Sequence, residues 1–197
     1  MLDPRDIMKQ VVPSLTLGFH EKTCIITITG ISTVLRPRNL KQQLKKERLA
    51  MNANEAAVRN AYQVAERKDL AGWVNCFTED GTFIDESIGV TYRGKQLSQP
   101  VEIYAAAFPD MHRELYRFFV DGDTVIVELA LQGTQKGPLK SPLGTIPPTG
   151  KRMDAPCCDV FRLKNGKIQS FNCYPSGTVI FAQLGVLSNI EGAIARS

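Results

Sequence analysis

Lys151-Arg152-Met153-Asp154-Ala155-Pro156-Cys157-Cys158-Asp159-Val160-Phe161-Arg162-Leu163 and Lys167-Ile168-Gln169-Ser170-Phe171-Asn172-Cys173-Tyr174 are two β-prone runs joined by Lys164-Asn165-Gly166. Asn-Gly between such runs is the strongest short-range hairpin signal, because both residues tolerate the positive φ of a tight turn. The same logic extends upstream. Thr124–Thr134 is rich in Val, Leu and Ile, and Asp121-Gly122-Asp123 turns it back onto Met111–Val120. A Gly/Pro loop over 137–150 joins the two pairs. Four β-runs in succession predict a largely antiparallel sheet.

Working outward toward the N-terminus, the period changes from two to 3.6. Asn52 or Asn54 can cap a helix over Asn54–Arg67, with Ala57, Val58, Ala61, Tyr62, Val64 and Ala65 on its apolar face. After a turn at Lys68-Asp69, Leu70–Phe77 places Leu70, Trp73, Val74 and Phe77 on one face of a second helix. Gly81–Asp85 reads as a short strand and Gly94–Phe108 as a third helix, stopped by Pro109. Gly177–Leu187 is a closing helix or turn. Helices first and strands afterwards define an α+β domain, with helices packed on one side of a curved sheet.

With 197 residues the chain is long enough for one domain with a real core. Its charge is divided unevenly. Residues 1–50 carry nine Lys/Arg against four Asp/Glu, whereas the rest carries fifteen against sixteen. The basicity therefore belongs to the leader, and the domain has no bulk charge argument for nucleic acid. Arg36, Arg38, Lys41, Lys45, Lys46 and Arg48 read either as a solvated basic tail or as a weak polyanion-binding arm. The division expected is a flexible basic extension over 1–50, one domain over 51–190 and a tail over 191–197. Met51 marks a fresh start, and translation beginning there would leave the extension outside the physiological product. The rival reading, a targeting presequence, is weakened by the acidic residues and the lack of an amphipathic Arg-rich pattern. The five cysteines, Cys24, Cys76, Cys157, Cys158 and Cys173, show no CxxC spacing. They fit free thiols in a reducing cytoplasm, with no metal site. Cys157 and Cys158 should face opposite sides of their strand. The apolar stretch Cys24–Leu35 is too short to span a bilayer, so no membrane association is expected.

Two groups of motifs give this chain a family resemblance. One is Asp69-Leu70-Ala71-Gly72-Trp73-Val74 through Phe77-Thr78-Glu79-Asp80-Gly81-Thr82-Phe83. The other is the ordered set Phe108-Pro109-Asp110, Asp121-Gly122-Asp123, Gly133-Thr134, Pro147-Pro148-Thr149-Gly150-Lys151, Phe161-Arg162-Leu163, Asn165-Gly166-Lys167-Ile168 and Gln183-Leu184-Gly185. Over 54–187 this succession resembles the SnoaL-like polyketide cyclase or ester cyclase branch of the NTF2-like, ketosteroid isomerase-like superfamily. The resemblance implies a cone-shaped α+β domain, its curved antiparallel sheet capped by N-terminal helices around an apolar pocket. It also implies a homodimer through the outer sheet face, where Thr124–Gln132 offers alternating apolar surface.

By the same resemblance, Asp85 falls where ketosteroid isomerases keep the carboxylate that moves a proton between ring carbons. Asp159 falls where they keep a protonated Asp that donates to the substrate oxyanion. Burial among Cys157, Val160 and Phe161 would favour the neutral acid. Each has a structural alternative: Asp85 as a strand-end cap, Asp159 as a carboxyl bonded to Tyr62 or to backbone. The isomerases place a second oxyanion donor, a Tyr, on the first helix. Here Ala61 stands at that position and Tyr62 lies one step on, about 100° round the helix, so Tyr62 or Tyr116 is the candidate donor. SnoaL-type cyclases pair a His before the Asn-Gly turn with an Asp after it, at positions held here by Asp159 and Cys173. His112 is the domain's sole histidine, a rim residue or an acid/base, without companions for a metal. Cys173 reads as a buried, inert thiol. Tyr62, Trp73, Phe77, Phe83, His112, Tyr116, Cys157, Phe161, Phe171 and Cys173 are the expected pocket residues.

No P-loop, dinucleotide fingerprint or nucleophile elbow is present. The resemblance therefore implies a cofactor-independent acid/base enzyme, an isomerase or aldol-type cyclase, acting on a small apolar, cyclic carbonyl compound. The alternative is a non-catalytic module for small-ligand binding or dimerisation.

Overall fold

The chain divides into two units, Met1–Leu49 and Ala50–Ser197. The computed structural model describes residues 16–20, 23–28, 31–35, 37–142 and 144–187. The expected tail over 191–197 lies outside them. In the first unit, β1 (Thr16–His20), β2 (Thr23–Ile28) and β3 (Ile31–Leu35) pair antiparallel in that order. The β-prone run from Cys24 lies in β2, which has a partner on both edges.

Helix α1 runs from Pro37 to Glu66, so it does not begin at Asn52 or Asn54. Proline suits a first helical position, and Leu40–Ala50 is composed of Lys, Gln, Leu, Glu, Arg and Ala, all strong helix formers. Asn54 lies inside the helix and is buried. Its Nδ2 donates to the Gly122 carbonyl at 3.0 Å instead of capping. Val58, Ala61, Tyr62, Val64 and Ala65 are buried as the helical period requires.

Asp69 caps α2 (Leu70–Asn75), its Oδ1 accepting from the Gly72 amide at 2.9 Å. The helix stops before Phe77 because the Ile168 amide takes the Cys76 carbonyl at 2.8 Å. That bond hands the chain to a strand, β4 (Phe77–Asp85), which pairs with β5 (Val90–Arg93). The helix expected over Gly94–Phe108 is two pieces, a 3-10 turn at Gly94–Ser98 and α3 (Gln99–Ala107). Pro100 has no amide to continue the earlier turn and restarts the helix.

β6 (His112–Asp121), β7 (Thr124–Thr134), β10 (Arg152–Lys164) and β11 (Lys167–Pro175) lie close to their sequence limits. Asn165 and Gly166 take φ of 54° and 74° in the β10–β11 turn, as the hairpin signal requires. Two short strands, β8 (Leu139–Ser141) and β9 (Gly144–Ile146), form a small hairpin inside the expected Gly/Pro loop. α4 (Gly177–Leu184) closes the domain.

The six-stranded sheet has the order β5-β4-β11-β10-β7-β6. It is not wholly antiparallel, as β4 and β11 run parallel. β4 follows the helices and joins the sheet through a long crossover, which permits parallel pairing. Register shifts at Leu115/Arg117, Arg162/Leu163 and Ile168/Ser170 mark bulges, which bend a sheet. β5 and β6 remain edge strands, so the sheet is open rather than closed.

Along β10, Met153, Ala155, Cys157, Asp159, Phe161 and Leu163 are buried while their neighbours are more exposed. Cys157 and Cys158 thus face opposite sides as expected. The buried face joins Val125, Val127 and Leu129 of β7 and Val58, Ala61 and Ala65 of α1 in one apolar core. Its centre is aromatic: Phe161 stacks on Phe171 at 4.1 Å between centroids, and Phe83 meets Phe171 edge-on at 4.6 Å. Among the described residues no helix is long and apolar enough to cross a membrane.

Candidate active site

Strand register sets the site. On β10 and β11, Asp159 pairs with Cys173; on β11 and β4, Cys173 pairs with Asp85. The two acids are one strand apart on either side of a thiol, their backbones roughly 10 Å apart across two strand spacings. Both line one cavity, together with Tyr62, Trp73, Phe83, Phe171 and Cys173. An outer cavity adjoins it, and Asp85, Pro100 and Tyr104 border both. The β8–β9 hairpin contributes Leu139, Lys140, Ser141 and Ile146 to the outer one.

Asp159 is only 2% exposed. Tyr62 Oη donates to its Oδ2 at 2.7 Å and Cys157 Sγ to its Oδ1 at 3.2 Å. Burial pushes its pKa above the ordinary 3.8, against the downward pull of the Tyr62, Cys173 and Cys157 hydrogen bonds and of the Arg113 charge. The balance favours a neutral carboxylic acid more than in water. Tyr62 itself is pushed well above its usual value, first by burial and then by Asp159. It therefore stays protonated and keeps donating.

Asp85 is 6% exposed. Ser87 supplies both its amide, at 3.1 Å, and its hydroxyl, at 2.6 Å, to Oδ1. Burial raises its pKa, while the Ser87 and Ile88 hydrogen bonds oppose the shift. These bonds stabilise the carboxylate form, and Asp85 both binds its own loop and lines the cavity.

Cys157 does not line the cavity. It lies behind Asp159, with its Sγ 3.7 Å from that of Cys173. Among the described residues these two sulfurs and an Asp159 oxygen form a triplet within 4.8 Å of one another, the spacing of metal ligands. The sequence spacing gave no sign of it, because two strands supply it. For Cys173 the Cys157 hydrogen bond and burial push the thiol well up. For Cys157 the Cys173 bond pulls down, but burial and Asp159 outweigh it. Thiolates are thus disfavoured at both without a metal, and Cys157 Sγ lies within hydrogen-bond reach of both Asp159 and Cys173. Cys76, Cys157, Cys158 and Cys173 are all free.

Four other expected pocket residues lie elsewhere. Phe77 and Phe161 are core residues, packed edge-on against Trp73 and Tyr62 respectively. Tyr116 sits at the β6 bulge and is 59% exposed, so it is no second donor. His112 is exposed on the opposite side of β6, where Nδ1 meets Glu66 at 3.0 Å and Nε2 meets Glu114 at 3.3 Å. Alternation along the strand turns the next residue, Arg113, toward the cavity instead. Arg113 and Tyr104 line the cavity, although neither belongs to the expected pocket set. The sequence signals for them are the parity of β6 from its first residue, and the i, i+3 spacing of Val101 and Tyr104 on α3. Burial pushes the Tyr104 hydroxyl well above its usual pKa.

An open sheet with the later part of α1, α2 and α3 over its buried face, and two acids on adjacent strand pairs lining one apolar cavity, is the arrangement of the ketosteroid isomerase-like fold. The chain belongs to the SnoaL-like domain family, whose model matches residues 58–171. A Jannaschia protein assigned as a SnoaL-like polyketide cyclase superposes with a TM-score of 0.61 at 19% identity, over 68% of this chain and 93% of that one. A protein of ketosteroid isomerase-like fold from Catenulispora acidiphila, solved with trimethylamine, gives 0.56 at 23% identity, over 66% and 92%. AclR of Streptomyces galilaeus, assigned as a hydroxylase, gives 0.59 at 20% identity, over 68% and 97%. No curated protein matches the chain. At these identities the solved structures establish the fold alone.

Proposed function

We propose that the protein is a cofactor-independent acid/base enzyme that removes a proton next to the carbonyl of a small apolar, cyclic compound. Asp85 takes the proton. The C–H electron pair becomes the enolate double bond, and the carbonyl oxygen gains the charge. Asp159, kept neutral by burial, donates to that oxygen, and Tyr62 holds Asp159 in place. Return of the proton at another carbon gives an isomerase. Attack of the enolate carbon on a second carbonyl gives an aldol-type cyclase. The observation that carries this reading is the pair of acids lining one cavity on either side of Cys173.

One observation favours a non-catalytic ligand-binding module: Tyr62 and Cys157 together occupy both oxygens of Asp159 within the protein. Solvent-deuterium exchange separates the two. With β-tetralone in deuterated buffer, the wild type should speed exchange of the α-hydrogens, and Asp85→Asn should abolish the effect. A wild type that neither accelerates exchange nor binds phenol in the cavity sinks the enzyme reading.

A further inference from the structure

The cavity wall carries a cation whose side chain has no hydrogen-bond or ion-pair contact among the described residues. This is Arg113, which lines the inner cavity and is half-buried. The carboxylate that touches the residue, Glu66, is committed elsewhere. Its Oε1 accepts from the Arg113 backbone amide at 2.9 Å and meets His112 Nδ1 at 3.0 Å. Lys68, which borders a small cleft on the other side of Arg113, donates Nζ to the Pro109 carbonyl at 3.1 Å. A planar guanidinium at the wall of an apolar cavity offers paired donors that suit a carboxylate, and the lowered dielectric strengthens such a contact.

Register separates this cation from the proposed oxyanion site. Arg113 pairs with Leu131, which pairs with Ala155, four residues along β10 from Asp159. Arg113 is also two strands away, roughly 10 Å across the sheet. Its charge still acts on Asp159 across the cavity, and an anion held by Arg113 belongs to a part of the ligand other than the reacting carbonyl.

We infer that the ligand of this cavity carries a carboxylate, bound by Arg113, at the end away from Asp159. The substrate class is then a cyclic carbonyl compound with a pendant carboxylate, rather than a wholly neutral one. This rests on the proton-abstraction reading for the identity of the reacting end, but not for the anion contact itself. Arg113 binds and orients, and it moves no proton.

The test is calorimetric titration at neutral pH with para-hydroxybenzoate, para-hydroxyphenylacetate and para-hydroxyphenylpropionate, each against its methyl ester, and with phenol. The three acids vary the spacing between hydroxyl and carboxylate. At least one acid should bind on the order of 10- to 100-fold more tightly than its ester. Arg113→Gln should erase that difference and leave the ester affinity unchanged, while Arg113→Lys should restore part of it. Equal binding of acids and esters across the series overturns the inference, and so does a preference that survives in Arg113→Gln. If Arg113→Gln does not fold, the wild-type ratios and Arg113→Lys still decide. Phenol lacks the carboxylate and reports on Asp159 alone. Binding of phenol that depends on Asp159, with no gain for the acids, removes only the Arg113 assignment. Acids held by Arg113, with phenol indifferent to Asp159, remove the proton-abstraction reading and leave the anion site standing.

Discussion

Asp85 and Asp159 share one register partner, Cys173, which lies between them on β11. Asp85 on β4 reaches it through a parallel pairing and Asp159 on β10 through an antiparallel one. The spacing of the acids is therefore fixed by backbone ladders rather than by loops. Two carboxyls so held need different surroundings to divide acid from base. Asp85 has the Ser87 amide and hydroxyl, whereas Asp159 has a phenol and a thiol.

Tyr62→Phe removes the 2.7 Å bond to Asp159 Oδ2 and leaves that oxygen buried without a donor. A loss of about 1–3 kcal/mol in stability is expected. The Tyr62 bond lowers the Asp159 pKa, so the variant should hold Asp159 neutral to still higher pH. The infrared carboxyl band of Asp159 should then persist further into the alkaline direction than in the wild type. A band unchanged in its pH range would show that the bond carries no weight.

Gln135 is fully buried and holds the loop beside the outer cavity. Its Nε2 reaches the carbonyls of Gly137, Ile146 and Pro147 at 3.2–3.3 Å, and its Oε1 accepts from Thr149 at 2.7 Å. Gln135→Leu keeps the bulk and removes these bonds, at a cost of about 1–3 kcal/mol. Hydrogen exchange should rise over 137–150, with α1 left protected. Uniform loosening of the whole domain would contradict this local role.

The legible parts of the chain were those with local signals. Asn165-Gly166 and Asp121-Gly122 fix their hairpins through turn chemistry, and the burial alternation of β10 follows its sequence. β5, β8 and β9 are three or four residues long, too short for a period to show. The parallel β4–β11 pairing is long-range and leaves no mark in either strand. In the site, Asp85 and Asp159 came from family resemblance, and Tyr62 proved to be Asp159's partner although Ala61 occupies the matching position. One step of strand parity decides the rest: Arg113 lines the cavity, and His112 beside it does not.

We propose that the outer sheet face is where two copies of the chain meet. Phe119, Ile126, Val160 and Asn172 form one cross-strand row there, and Phe119 and Tyr174 are 49% and 47% exposed. Light scattering should give twice the chain mass at tens of micromolar, an order-of-magnitude choice. Phe119→Lys should give the single mass without lowering the helix content. A wild-type monomer over that range removes the proposal.

Asp159→Asn separates a neutral acid from a satisfied carboxylate. The folded-state pKa of Asp159 is raised above 3.8. Its contribution to stability is therefore full below that value and is lost as pH rises through the raised one. Asp80 and Asp110 shift the other way: Asp80 is held down by the Thr78 hydroxyl, Asp110 by the Thr134 amide and hydroxyl. They favour the fold as pH rises. The wild-type melting curve sums these opposed trends, so the difference between wild type and Asp159→Asn isolates Asp159. The variant should fold, match the wild type most poorly in acid, and gain on it as pH rises from about 4. Asp159→Leu should weaken phenol binding, and on a substrate found by deuterium exchange it should slow the reaction about 10²–10³-fold. A carboxylate held ionised by its donors would reverse the first result, with Asp159→Asn losing stability as pH rises. An Asp159 found ionised at about pH 6 in the free protein would falsify the oxyanion role.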